Sequence, residues 1–219
     1  MTRTMARLRT HRVKLSAPRL RLRPMRESDW STLLRWNQDP RVLLYWNDGD
    51  TTPWQRADLV RIYREMSRRA HMFIVEREGE PIAECWLQSM NLEEILRERP
   101  GQRLFRIDLS IGDPSLWGRG FGTEIVQALV EFGFGPRKAD TLFACHVSGK
   151  NLASHAVFRK NGFSDWGPAA PSGRRSDGPE RRHLILTRET WRRRGGRAAG
   201  GPADARLTTG RPGNGAARI

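Results

Sequence analysis

Large apolar side chains are scarce in this chain. Hydrophobic residues make up 37% of its 219 positions, against ~45–50% for an ordinary soluble domain on a count that includes glycine. No run reaches the ~18 consecutive apolar residues of a membrane-crossing helix, so no membrane span is expected. Cysteine is limited to Cys85 and Cys145. Both lie in apolar, strand-like runs and read as buried free thiols of a reducing compartment, not as a disulfide framework. No His/Cys cluster has metal-ligand spacing, and no metal is expected. Acids are absent from the first 26 residues, which hold nine Lys/Arg. Residues 181–219 carry ten Arg against Glu189 and Asp204. With a formal charge of +15, residues 27–180 therefore sum to −2. The basic character belongs to the ends. It predicts weak, salt-dependent contact with polyanions, not specific nucleic-acid recognition. The Arg-rich start resembles a transit peptide but has no apolar stretch of a secretory signal. The reading adopted is a cytoplasmic protein with a basic disordered extension over 1–14, one domain over 15–192, and a disordered Arg/Gly-rich tail over 193–219.

What is present is ordered. Residues 19–23 alternate Arg and Leu, the period-2 signature of a strand with one buried face, and Pro24 stops it. Ser28 and Asp29 offer N-cap oxygens for a helix through Leu33, Leu34 and Trp36. A second helical pattern runs from Thr52 to about Arg69. Residues 71–76 and 81–88 read as strands joined by a hairpin at 77–80. Residues 89–103 are polar and irregular, and 103–111 alternate as another strand. A glycine loop leads into a helix over 121–134; a strand at 141–147, a helix at 151–160 with Gly162 as its left-handed cap, and a closing strand at 183–187 follow. The fold class is α+β, helices flanking a twisted, mostly antiparallel sheet.

The loop Trp117-Gly118-Arg119-Gly120-Phe121-Gly122-Thr123 sits between a strand and an amphipathic helix. A helix's first turn leaves backbone N–H groups unpaired and partly positive, which suits a diphosphate. Glycines let the anion approach because no Cβ intervenes, and Arg119 adds a charge. A dinucleotide-binding reading needs a βαβ unit with a later acid, and a P-loop needs Gly-Lys-Ser/Thr. Neither is found.

In this order the sequence resembles the GCN5-related N-acetyltransferase (GNAT) family. Trp117 to Gly122 lie on the family's Gln/Arg-x-x-Gly-x-Gly/Ala loop, with Trp117 departing from the usual first residue. Asn151-Leu152-Ala153-Ser154 through Phe158-Arg159-Lys160-Asn161-Gly162-Phe163 is similar to its Asn…Tyr-x-Lys-x-Gly-Phe ending, with Phe158 in place of tyrosine. The resemblance spans about 18–190. It implies acetyl-CoA as co-substrate, inserted where two central strands splay. It further implies cofactor contacts from Ser110, Ile111, Trp117, Gly118, Arg119, Gly120, Phe121, Gly122, Thr123, Asn151, Ser154 and Phe158.

Acetyl transfer to an amine needs a proton acceptor, a donor for the oxyanion and a path for the leaving thiolate. The resemblance implies an oxyanion donor among backbone N–H groups near Ser110 or Ile111. Asp108 is the candidate base, an acid in an alternating strand ten residues before Gly118. Aminoglycoside 6′-N-acetyltransferases look similar there. The bland alternative is an ion pair with Arg106, and Glu84 and Glu98 are the fallback bases. Phe158 cannot donate a proton, so the acid's place is vacant. Trp30, Trp36 and Trp54 read mainly as core. Trp46, beside Asp48, is expected with Asp108 to meet a cationic acceptor. The acceptor is a small-molecule or peptide amine, aminoglycoside-like or a protein α-amine, and the protein a monomer or homodimer. A sensor that binds acyl-CoA without turnover is the rival from another class.

Overall fold

In the computed structural model, residues 7–46, 50–169 and 180–196 are described, Trp46 for its backbone alone. Eight strands form one sheet: β1 (Leu15–Ala17), β2 (Leu20–Pro24), β3 (Ala70–Arg77), β4 (Glu80–Ser89), β5 (Leu104–Ile111), β6 (Thr141–Ser148), β7 (Ser164–Pro168) and β8 (Arg181–Thr187). Their order is β1-β2-β3-β4-β5-β6-β8-β7. Every neighbouring pair is antiparallel except β5–β6, which is parallel. The seven helices of the described residues are α1 (Trp30–Trp36), α2 (Pro40–Trp46), α3 (Arg56–Met66), α4 (Glu93–Glu98), α5 (Phe121–Phe134), α6 (Leu152–Lys160) and α7 (Arg188–Arg193).

Period-2 alternation divides the sheet into two faces. Phe73, Val75, Ala83, Cys85 and Leu87 point into a large core with Ile125, Leu129 and Phe132 of α5. Met72, Ile74 and Trp86 point the other way, against Trp30, Leu33 and Trp36 of α1 and Leu59 and Tyr63 of α3. On that second face, further along the sheet, Ile95 of α4 packs with Phe143, Cys145 and Ile185. Cys85 and Cys145 are buried free thiols, as expected.

The β3–β4 hairpin turns on Glu78 and Gly79, both at positive φ, which marks the two-residue turn whose twist matches the strands. Gly162 has φ +90, the left-handed geometry expected after α6. Several expectations change. The segment 19–23 is the second arm of a β1–β2 hairpin. Asp29 does not cap α1 with its side chain but receives Arg23 and the Arg26 N–H. The irregular 89–103 stretch contains α4. The strand at 181–187 does not close the sheet, because β7 pairs outside it. Part of the expected extension is ordered. Leu8 is buried against the α1–α3 core, its N–H donating to Glu27, and the Arg9 N–H donates to Ser67 Oγ.

Candidate active site

The pairing of β5 with β6 stops early. It runs from Leu104↔Thr141 to Arg106↔Phe143, and beyond that point the strands part. A cleft of about 560 Å³ opens beside the separated half of β5. Leu109, Ser110 and Ile111 form one wall, and the glycine loop with the start of α5 forms its floor. Lys150, Asn151, Leu152, Ala153, Ser154, Ala156, Val157 and Lys160 line the side made by α6, and Val42 and Tyr45 of α2 complete it. Of the twelve expected cofactor residues, ten line this cleft.

The exceptions are instructive. Phe158 is 3% exposed and packs in the core against Phe163, so α6 turns Val157 to the cleft and Phe158 away from it. Arg119 is exposed and outside the lining; its carbonyl accepts from Arg19 at 3.0 Å. Asp48 and the side chain of Trp46 lie outside the described residues. Lys150 and Lys160, cations at either end of α6, were not expected in the site. Their signal was available: Lys150 immediately precedes the Asn151-to-Gly162 motif and Lys160 lies within it.

The loop suits phosphate because its backbone takes shapes that only glycine adopts without strain. Gly118 has φ +74 and Gly120 φ +85, and open space lies where a Gly118 Cβ would stand. Gly120 is the N-cap of α5; the N–H groups of Thr123 and Glu124 fold back on its carbonyl, and those of Phe121 and Gly122 precede the helical ladder. Arg19, in the β1–β2 turn, braces the loop from behind. It ion-pairs with Glu124, donates to the Arg119 carbonyl and stacks 4.4 Å over the Phe121 ring. On the far rim the Asn151 side chain caps α6 by accepting from the Ser154 N–H at 3.0 Å. The cleft thus fits coenzyme A: helix N-termini and Lys150 and Lys160 for phosphates, apolar Leu109, Ile111 and Val157 for the pantetheine arm.

Register decides which N–H groups face that arm. The N–H of Gly112 donates to Ile82 and that of Met90 to Leu104, both at 2.9 Å. Even-numbered residues of β5 therefore direct their backbone groups to β4, and odd-numbered ones to the opposite edge. There β6 has departed, so the N–H groups of Leu109 and Ile111 face the cleft. The Ile111 carbonyl is taken by Trp117 Nε1 at 3.0 Å. Ser110, expected as an alternative oxyanion donor, turns its N–H to Glu84 instead. Its place in the cleft rests on its other atoms.

Asp108 lies on the same strand face as Ser110, two residues away, or ~7 Å along the strand. Its carboxylate is 15% exposed and accepts three N–H donors: Arg106 Nε at 2.8 Å, Arg106 Nη2 at 2.6 Å and Trp86 Nε1 at 3.0 Å. The ion pair with Arg106 weighed as the bland alternative is therefore present. Asp108 itself does not line the cofactor cleft; it stands two residues past Arg106, where the pairing of β5 with β6 ends. Directly across from Ser110 stands Glu84. It is fully buried, and Oε1 accepts from Tyr63 Oη at 2.7 Å, whose oxygen in turn accepts from Asn37 at 3.2 Å. Burial pushes the Glu84 carboxyl up to about 7. Sealed behind Tyr63, Glu84 is a structural acid in this arrangement, and Glu98 is exposed on α4, away from the cleft. Trp30 and Trp36 are core residues, and Trp54 packs on them half-buried.

Outside the cleft, the fold gathers Glu94, His146 and His183, whose ligand-capable atoms lie within 4.8 Å of one another. They come from α4, β6 and β8, so no sequence spacing could have revealed them.

The family pattern Acetyltransferase (GNAT) domain matches residues 19–164. The chain belongs to the GNAT acetyltransferase family. It is 26% identical to an aminoglycoside N(6′)-acetyltransferase type 1 of Klebsiella pneumoniae over 177 residues, covering 78% of this chain and 85% of that protein. It is 30% identical to the uncharacterized N-acetyltransferase p20 of Bacillus licheniformis over 125 residues; that match takes in 55% of this chain and 65%, just under two thirds, of p20. Among solved structures, aminoglycoside acetyltransferase AAC(6′)-Ib in complex with ribostamycin and coenzyme A superposes with a TM-score of 0.64 at 25% identity, covering 80% of this chain and 95% of that one. This GNAT protein is an N-acetyltransferase with acetyl-CoA as co-substrate. Among the described residues no helix is long and apolar enough to cross a membrane.

Proposed function

We propose that the acceptor is a primary amine of a polycationic, aminoglycoside-like small molecule, and that Asp108 receives the proton this amine loses. The observation that carries the reading is Asp108 itself, a carboxylate anchored by Arg106 and Trp86 just past the point where β5 parts from β6. The kinship to an aminoglycoside N(6′)-acetyltransferase supports the acceptor class. An aromatic lip adds to it: Tyr45 and Trp117 meet edge to face, with ring centroids 5.7 Å apart, and both are partly open to solvent. Ring faces there attract an organic cation.

The reaction then follows from the chain's own groups. The neutral amine nitrogen attacks the thioester carbonyl, forming the C–N bond. The oxygen gains charge and is met by an N–H of Leu109 or Ile111. The C–S bond breaks, the sulfur leaves with its electron pair, and the amine proton passes to Asp108 directly or through water. No tyrosine stands at position 158, and Phe158 faces the core. The thiolate therefore takes its proton from water or from Ser154, which lines the cleft.

The test mixes the protein with acetyl-CoA and a panel of aminoglycosides, linear polyamines and N-terminal peptides, and follows free thiol. Thiol release fastest with an aminoglycoside supports the reading. Release with peptides alone moves the acceptor to a protein α-amine, and coenzyme binding without release from any amine makes the protein a sensor.

A further inference from the structure

On the second face of the sheet, beyond the Arg106–Asp108 pair, His183 is 1% exposed, and neither of its ring nitrogens has a hydrogen-bond partner. A buried, unsatisfied polar group is costly and calls for a physical reason. Its surroundings supply one. The His146 ring stands 5.0 Å away, centroid to centroid, at 70°. Glu94 Oε1 lies 4.0 Å from His183 Nε2. Trp166 closes the far side at 5.8 Å. His146 reaches this point because β6 breaks register between Ala144 and Val147, and the backbone turns through φ +55 at His146. A non-glycine residue seldom takes that conformation, and here it aims an imidazole at a second one.

We propose that Glu94, His146 and His183 form a binding site for a zinc-class divalent transition-metal ion. Two imidazoles and one carboxylate are the donor set of this class, whereas magnesium and calcium prefer all-oxygen shells. Ligands at 2.0–2.2 Å from a tetrahedral ion stand ~3.4 Å apart. The ligand atoms, all within 4.8 Å of one another, thus need side-chain movements of ~1–1.5 Å to close on an ion, and the 41%-exposed Glu94 is free to change rotamer. Three protein ligands leave a fourth position for water. The ion would tie α4 to β6 and β8 and take no part in acyl transfer, so the site stands whatever the acceptor proves to be.

The experiment uses the full chain without an affinity tag, stripped with chelator and titrated with zinc chloride by calorimetry. Cobalt(II) absorption serves as a second readout of a nitrogen/oxygen tetrahedral shell. One equivalent should bind, raising Tm. Glu94→Gln, on the helix surface, and His146→Asn, whose new side chain tolerates positive φ, should each weaken binding at least tenfold while keeping the native circular dichroism. His71→Ala, which alters the other close histidine pair (His11–His71), should leave it unchanged. No zinc heat, or undiminished affinity in both Glu94→Gln and His146→Asn, would overturn the proposal. So would loss of binding in His71→Ala alone.

Discussion

Asp108 gives both carboxylate oxygens to Arg106 and Trp86, so its position is fixed before any substrate arrives. A fixed acceptor acts on the transition state and adds little to ground-state cofactor binding. Asp108→Asn should therefore cut turnover by ~10²-fold, with the affinity for coenzyme A unchanged. Steady-state kinetics and calorimetry measure the two halves separately, and unaltered turnover would strip Asp108 of its role. Glu84 makes the opposite kind of contribution. Its carboxyl titrates near 7 in the fold against an ordinary 4.5, so the native state binds that proton more tightly than the unfolded chain does. The stability it confers is complete below 4.5 and is lost as pH rises toward 7, on the order of 3 kcal/mol in all. His71 and His183, pushed down to about 4, act in the reverse direction between 4 and 6.5. Comparing wild type with Glu84→Gln cancels them. The difference in unfolding free energy between the two should fall from pH 4.5 to 8, and parallel curves would refute it. Arg106 was readable as a partner of Asp108 because residues two apart share a strand face. The seal of Glu84 by Tyr63 and Asn37 was not, since those residues come from α3 and from just after α1, and their meeting is a matter of helix packing.

At the level of elements, the loop that begins α5 is held in two ways, by glycine backbone and by Arg19. Gly120 sits at φ +85, and a Cβ there would also stand 3.3 Å from the Arg19 guanidinium. Gly120→Ala should cost ~1–2 kcal/mol of stability through the left-handed backbone alone. It should weaken coenzyme A binding by a larger factor, because the loop's N–H groups move with it. Chemical denaturation and a binding isotherm on the same variant check both, and unchanged affinity would mean the phosphates sit elsewhere. This loop was legible in the sequence: Gly118 and Gly120 between a strand and a helix, with Gly122 in the helix's first turn, state their geometry locally. So were the β3–β4 hairpin and α5, whose periods run for a full element. Several short elements were not. β1 has three residues and β7 five, and α2 and α4 have seven and six. Segments of that length show no reliable period, and tertiary contact decides their state. The turn of Phe158 into the core escaped for a related reason. The motif gives the residue's position along α6, but the helix's rotation against α5 decides which side chain meets the cleft.

In the whole molecule, the parting of β5 from β6 leaves a sheet whose two sides are joined by only three residue pairs at that seam, and the cofactor cleft opens where they divide. A ligand in that cleft touches β5, the α5 loop and α6 together, and so links both sides of the seam. Because it binds the folded chain alone, coenzyme A at 100 times its dissociation constant should add ~2.7 kcal/mol. At ~2–4 °C per kcal/mol for a chain of this size, Tm should rise by ~5–11 °C. Asp108→Asn should show the full rise, since the carboxylate lies outside the cleft. Gly120→Ala at the same coenzyme concentration should show less. The groups placed to meet the phosphates, Lys150, Lys160 and helix N-termini, line an open cleft, so if they do meet them the rise should shrink as salt increases at fixed coenzyme concentration. Differential scanning calorimetry over a salt series measures it. A rise that ignores salt would locate the binding energy in the apolar pantetheine contacts of Leu109, Ile111 and Val157, leaving the lysines as bystanders.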